Sequence, residues 1–220
     1  MEHVMEDTLH HLEWLRVSLL MDKVDNEMYS SKIIFNDAHQ FYQPLIIDGY
    51  PVFQFRYEGA MPLYKETDKK YLALVREYYY QVTLSMYEFT EINFHFKKAV
   101  LIIQHIFQNG IIRDLDNRNR KYLIDAIRHT GLIDDDNFKN LSILEEGFIN
   151  KECAPYVNVY LLEEQYLQQF FIHKNDLTLH NRDKFENVIS WKEVNEKMDN
   201  EETKEVTSEL KMREEIGEFF

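Results

Sequence analysis

Residues 111–138 read IIRDLDNRNRKYLIDAIRHTGLIDDDNF, and this stretch decides the fold. Asn117 to Thr130 predicts a helix, with Asn117 as an ordinary N-cap and Gly131 as the left-handed residue that stops it. Working outward, Phe94 to Phe107 is rich in Val, Ile and Phe and reads as a strand ended by the turn pair Asn109-Gly110. Phe138 to Glu146 and Tyr156 to Leu162 read as two more strands. Further upstream, Asp48-Gly49 marks a turn, and Tyr50 to Tyr57 alternates as a strand that Gly59 to Pro62 breaks. Asp68 to Tyr87 is a helix with Tyr71, Leu74, Val75, Tyr78, Val82 and Ser85 on one face. Its Tyr78-Tyr79-Tyr80 run reads as core plus one exposed ring. Amphipathic helices are expected at 4–21, 163–173 and 192–215. The order predicts an α/β (α+β) chain: a small mixed sheet with packed helices, plus flanking helices. It divides into an N-terminal extension (1–48), a central domain (49–164) and an acidic C-terminal extension (165–220).

Composition narrows the class. The chain has 220 residues, 45% hydrophobic and 29% charged, enough to bury a core and too apolar for a disordered tail. Six Gly and four Pro exclude collagen-like, Gly/Ser-linker and Pro-rich sequences. No apolar run approaches the ~18 residues of a membrane span. Met1-Glu2-His3 opens without the basic start of a signal peptide, and Cys153 stands alone, so no internal disulfide, Cys-based zinc site or CxxC pair is available. These features predict a cytoplasmic protein without a membrane partner.

The net charge is −14, which argues globally against a nucleic-acid binder. Its distribution reads differently. Residues 1–48 and 165–220 carry −6 and −5, while 49–164 carries −3 and 14 of the 25 basic residues. Six acids fall between Asp114 and Asp136. In extended chain Asp114 and Asp116 would point to one side, and two carboxylates aimed at one point repel unless a cation or proton sits between them. A helix start follows, offering free N–H groups to an anion, with Arg118, Arg120 and Lys121 beside it. Asp134-Asp135-Asp136 arrives where the chain turns back. Together these pieces describe a hard-cation site holding a phosphodiester. Singly, each has a plainer reading: a turn cap at Asp114, a surface pair between Lys121 and Asp125, a solvated turn at Asp134 to Asp136.

The order Asp114-Leu115-Asp116-Asn117, then Lys121, Asp125-Ala126-Ile127, Gly131 and Asp135-Asp136 resembles the RusA family of Holliday-junction resolvases. Gly59-Ala60-Met61-Pro62 with Lys65 is similar to that family's first-strand exit. The resemblance spans about residues 50–162. It implies a Mg²⁺-dependent endonuclease (Mn²⁺ also serving) of mixed α/β fold, a homodimer that nicks branched DNA in recombination and repair in a phage, mobile element or bacterium. By position, it implies Asp114, Asp116 and Asp136 as metal ligands and Lys121 as the cation on the scissile phosphate. Asp125, Asp135 and Asn117 would support them, and Lys65, Lys69, Lys70, Arg118 and Arg120 would bind DNA. One departure stands out. Three residues separate Asn117 from Lys121 where the family has two, which would rotate Lys121 by ~100° on an ideal helix unless a bulge absorbs it.

The acidic flanks leave a second reading open: a catalytically inactive protein on the same fold that binds a protein partner through them. The C-terminal Glu214-Glu215-Ile216-Gly217-Glu218-Phe219-Phe220 looks like the acidic tip of bacterial single-stranded-DNA-binding proteins, and its plainer reading is a frayed acidic helix end. The histidines, His105 and His129 included, form no HxxxH or HxH set.

Overall fold

The computed structural model describes residues 8, 11–23, 44–47, 49–110 and 114–173. The expected helix 192–215 and the acidic C-terminal tip lie outside them. Five strands, β1 (Leu45–Ile47), β2 (Tyr50–Glu58), β3 (Ala99–Phe107), β4 (Leu141–Ile149) and β5 (Tyr156–Glu163), form one mixed sheet in the order β1-β2-β5-β3-β4. Only β3 and β4 run parallel. Among the described residues the helices are α1 (11–23), α2 (Lys69–Met86), α3 (Lys121–Arg128) and α4 (Leu167–His173). The chain is thus mixed α/β as expected. Among the described residues no helix is long and apolar enough to cross a membrane.

All nine residues of β3 are buried, because the sheet is covered on both faces. The strand period of two sorts them. Ala99, Leu101 and Ile103 join Phe53, Phe55, Tyr57, Val157 and Val159 in the larger core, which α2 and α3 cover. Val100 and Ile102 join Tyr160, Leu162 and Phe170 of α4 on the opposite face. From α2, Tyr71, Val75, Tyr78, Tyr79, Val82 and Met86 face the larger core, and Tyr80 is half-buried against His129. Asp68 caps α2 by accepting from the amides of Lys70 and Tyr71. Two tyrosines also finish the sheet. Tyr87 Oη accepts from Gln54 N at 2.8 Å, and Tyr78 Oη accepts from Glu58 N at 2.7 Å, so side chains take up β2 amides beyond the reach of the short β1.

Both flanks touch this core. Val17 of α1 is buried with the larger cluster and Phe170 of α4 with the smaller, while β1 is hydrogen-bonded to β2. The turn at Gly49 (φ 96°) and the helix stop at Gly131 (φ 78°) adopt the left-handed geometry expected of them.

Several boundaries differ from the sequence reading, and β4 runs on to Ile149 rather than ending at Glu146. β3 begins at Ala99, not Phe94. Residues 94–98 form an aromatic plug: Phe94 and Phe96 meet edge-to-face at 4.7 Å against Phe53, and Phe96 N donates to Leu132 O at 2.9 Å. α3 begins at Lys121, not Asn117, because the preceding residues bond to another loop. β4 begins at Leu141, not Phe138. Asn137 nucleates a turn there, its Oδ1 accepting from Lys139 N and its carbonyl from Leu141 N, which leaves Phe138 82% exposed.

Candidate functional site

The segment ahead of α3 folds as a turn, with Arg118 N donating to Leu115 O at 3.0 Å. Asp114 and Asp116 are therefore not on extended chain, and the alternation argument for their common direction does not apply. Both are exposed. Asn117 does not cap α3. Its Nδ2 donates to Asp114 Oδ2 at 3.3 Å, while Arg120 is the N-cap without a side-chain bond and Asn119 Oδ1 accepts from Lys121 N. Lys121 is consequently the first helical residue rather than one turn in. The turn lies outside the helix.

This turn is clamped to the exit of β2. Tyr64 N donates to Asn117 O at 3.0 Å, Asn119 N to Pro62 O at 2.8 Å, and Arg118 Nη1 to Met61 O at 2.8 Å. From the other side, Leu115 seats over Gly147 of β4 beside the Phe107 ring. The fold thus joins the segments 61–64 and 117–119. Lys65, Lys69 and Lys70 are exposed just beyond the clamp.

The three cations at the helix start differ in freedom. Arg118 is tied to Met61. Arg120 Nη1 donates to Glu145 Oε2 at 2.8 Å. The Lys121 side chain is 68% exposed, with Nζ 3.5 Å from Asp125. Lys121, Asp125 and Arg128 fall at i, i+4 and i+7 on one stripe of α3. Arg128 closes the stripe, its guanidinium 3.6 Å from both Asp135 and Asp136 and 3.8 Å from Asp125.

The second acid cluster is therefore bound into the end of α3. Asp134 pairs with His95 at 3.2 Å. Asp135 accepts from Asn137 Nδ2 and Asp136 N, and these bonds, the Asn137 one foremost, hold its carboxyl below the usual carboxylate range. Asp136 is exposed and faces Arg128. The predicted residues stand in two groups, Asp114–Asn117 with Lys121 at the start of α3 and Asp134–Asp136 with Arg128 at its end, and Asp125 lies between Lys121 and Arg128. Among the described residues no three His, Cys, Asp or Glu side chains stand together as a metal-holding group. Asp114 and Asp116 offer the oxygen donors a hard divalent cation takes, one or two carboxylates sufficing for Mg²⁺ with water and phosphate.

Sequence reasoning passed over Arg128 and Glu145, and set His105 aside because the histidines show no metal-ligand spacing. Arg128 lay in plain view one helical stripe from Lys121. The other two meet only through the parallel register of β3 and β4. His129 is a satisfied surface histidine, its Nδ1 2.7 Å from Asp125 O. No protein-family model matches the chain, and no curated protein matches it.

Proposed function

We propose that the chain is a divalent-cation-dependent endonuclease that nicks branched DNA, acting through the corner made by Asp114, Asp116, Lys121 and the 61–65 segment. The reading rests on the RusA-like residue order. The observation that carries it is the clamp that holds the exposed Asp114–Asn117 turn against the Met61–Tyr64 segment, with exposed lysines on either side. Asp114 and Asp116 would hold Mg²⁺, which when bound lowers the pKa of a water and takes up charge on the attacked phosphate. Lys121 supplies a mobile point charge to a phosphate oxygen. Lys65, Lys69 and Lys70 would follow the nucleic-acid backbone. Asp136 joins the donor set only by leaving Arg128. A homodimer would present one such corner to each strand.

The test is cleavage of a labelled synthetic four-way junction at low salt with Mg²⁺ or Mn²⁺. Wild type runs beside Asp116→Asn and a chain lacking residues 190–220. Paired nicks that require metal and vanish in Asp116→Asn support the reading. A folded wild type and truncated chain that both leave the junction intact refute it. That outcome favours the second reading, a non-catalytic protein that binds a basic partner through its acidic flanks. The engagement of Asp135 and Asp136 by Arg128 speaks for this alternative.

A further inference from the structure

His105 lies in β3 with 1% of its surface exposed, and neither ring nitrogen has a hydrogen-bond partner. A neutral imidazole carries one N–H and one lone pair, so burial leaves a donor and an acceptor unmet. Such a group calls for an explanation beyond packing, as do the other buried polar atoms without a hydrogen bond, those of Gln104 and Asn158 among them. The register supplies a candidate. Glu145 of β4 is aligned with Ile103, two residues before His105, and so projects from the same face of the sheet. Glu145 Oε1 is also buried without a hydrogen bond and lies 3.8 Å from His105 Nε2. Its other oxygen, Oε2, accepts from Arg120 Nη1 at 2.8 Å. Glu145 therefore has one partner engaged and a second facing it just beyond bonding distance.

We propose that His105 is a positioning residue: it is the standby hydrogen-bond partner of Glu145, and it frees Arg120 to take a phosphate oxygen of a bound nucleic-acid backbone. This inference rests on the nuclease reading above, since it names the backbone phosphate as Arg120's second partner. Arg120 is the residue ahead of Lys121, and its side chain is one-third exposed, so its head group borders solvent at the candidate site. Without a substitute partner it is held where it is, because its departure would strand a largely buried carboxylate. The substitute is His105 in the tautomer that carries the hydrogen on Nε2. A rotation of the Glu145 side chain shortens the 3.8 Å gap to a hydrogen bond as Arg120 swings out. The ring donates the hydrogen it already carries, and no proton changes owner.

Two measurements on the full-length chain test this. The first is the ring ¹⁵N spectrum of His105 in wild type, Arg120→Gln and Glu145→Gln. Removing Arg120 leaves Glu145 to the ring, so the Nε2 resonance and its attached hydrogen should move to hydrogen-bonded positions in Arg120→Gln and not in Glu145→Gln. The second is binding of a labelled four-way junction with Ca²⁺ in place of Mg²⁺. His105→Phe should weaken binding by about tenfold or more, since Arg120 then leaves an unpaired carboxylate behind. The double change His105→Phe/Glu145→Gln should return to within about twofold of wild type, the charge having gone. His105→Gln keeps a donor and should behave as wild type. An Nε2 signal unchanged in Arg120→Gln, with junction binding intact, overturns the inference and leaves the nuclease reading standing. A wild type that binds no junction overturns both.

Discussion

Arg128 Nη1 lies 3.6 Å from Asp136 Oδ1, so the carboxylate that the family resemblance assigns to a metal is ion-paired to the last residue of α3. The same guanidinium reaches Asp135 and Asp125. It is the cation that these three acids share. The side chains are partly exposed, so each pair is worth only ~0–1 kcal/mol. Replacing Arg128 by Gln should therefore change folding stability little. If Asp136 is a metal ligand, the variant should bind Mn²⁺ several-fold more tightly in calorimetric titration, because the competing cation is gone. An affinity equal to wild type would remove Asp136 from the donor set.

Glu163 and Glu164 are neighbours whose carboxyls shift in opposite directions. Burial is the first cause that raises Glu163, only partly offset by the amides of Lys98 and Lys97. The bond from Lys98, whose Nζ is 2.7 Å away, is the first that lowers Glu164, with Ser142 second. A raised carboxyl binds its proton more tightly in the folded state, so stability falls as pH rises from the usual value of 4.5 through the folded value. A lowered one contributes stability above the usual value, and this is lost as pH falls through the folded value. Glu163→Gln should therefore melt higher than wild type at pH 7, and Glu164→Gln lower. Melting curves taken towards acid pH should show both differences shrinking as the wild-type carboxyls take up their protons.

Gly59 carries φ 85° at the exit of β2, and a Cβ there would collide with the Arg16 guanidinium of α1. Gly59→Ala meets two penalties. The left-handed backbone costs ~1–2 kcal/mol, and Arg16 must leave Glu58 O, where its Nη1 donates at 3.3 Å. Urea denaturation should show a loss of about 1–3 kcal/mol. Adding Arg16→Ala should not deepen the loss in full, since the steric conflict disappears. Strict additivity of the two changes would mean that Arg16 does not pack on Gly59.

These particulars mark how far the sequence could be read. The turn at Gly49, the cap at Asp68, the stop at Gly131 and the all-buried β3 each follow from a residue's own chemistry or from its near neighbours. The start of α3 does not. Asn117 and Asn119 would serve a helix, yet their backbone groups bond to Tyr64 and Pro62, more than fifty positions upstream. Lys121 sits where it does because of that contact, and spacing along the chain carries no trace of it. The aspartate cluster shows the same limit. Its order was legible, but its division between Asn117 on one side and Arg128 on the other depends on how α3 returns to β4. Glu145 falls within the strand expected over 138–146, but only the parallel pairing places it beside Ile103 and near His105.

Leu115 anchors the turn that carries both leading aspartates. A methyl group on Gly147 would lie 3.7 Å from Leu115 Cδ2 and 3.8 Å from the Phe107 ring, ordinary contact distances. Gly147→Ala should therefore be tolerated, with unchanged hydrogen exchange in the turn. Leu115→Ser removes the anchor and about 1–2 kcal/mol of apolar burial for a half-buried side chain. The amides of Arg118 and Asn119, bonded to Leu115 O and Pro62 O, report on the clamp directly. They should exchange faster in Leu115→Ser, while amides in β3 keep wild-type protection. In the nuclease reading the same variant should nick slowly at low Mg²⁺ and recover as Mg²⁺ is raised, because Asp114 and Asp116 remain but are less well held. Uniform exchange across the two segments in Leu115→Ser would show instead that Leu115 supports the whole domain and not the turn alone.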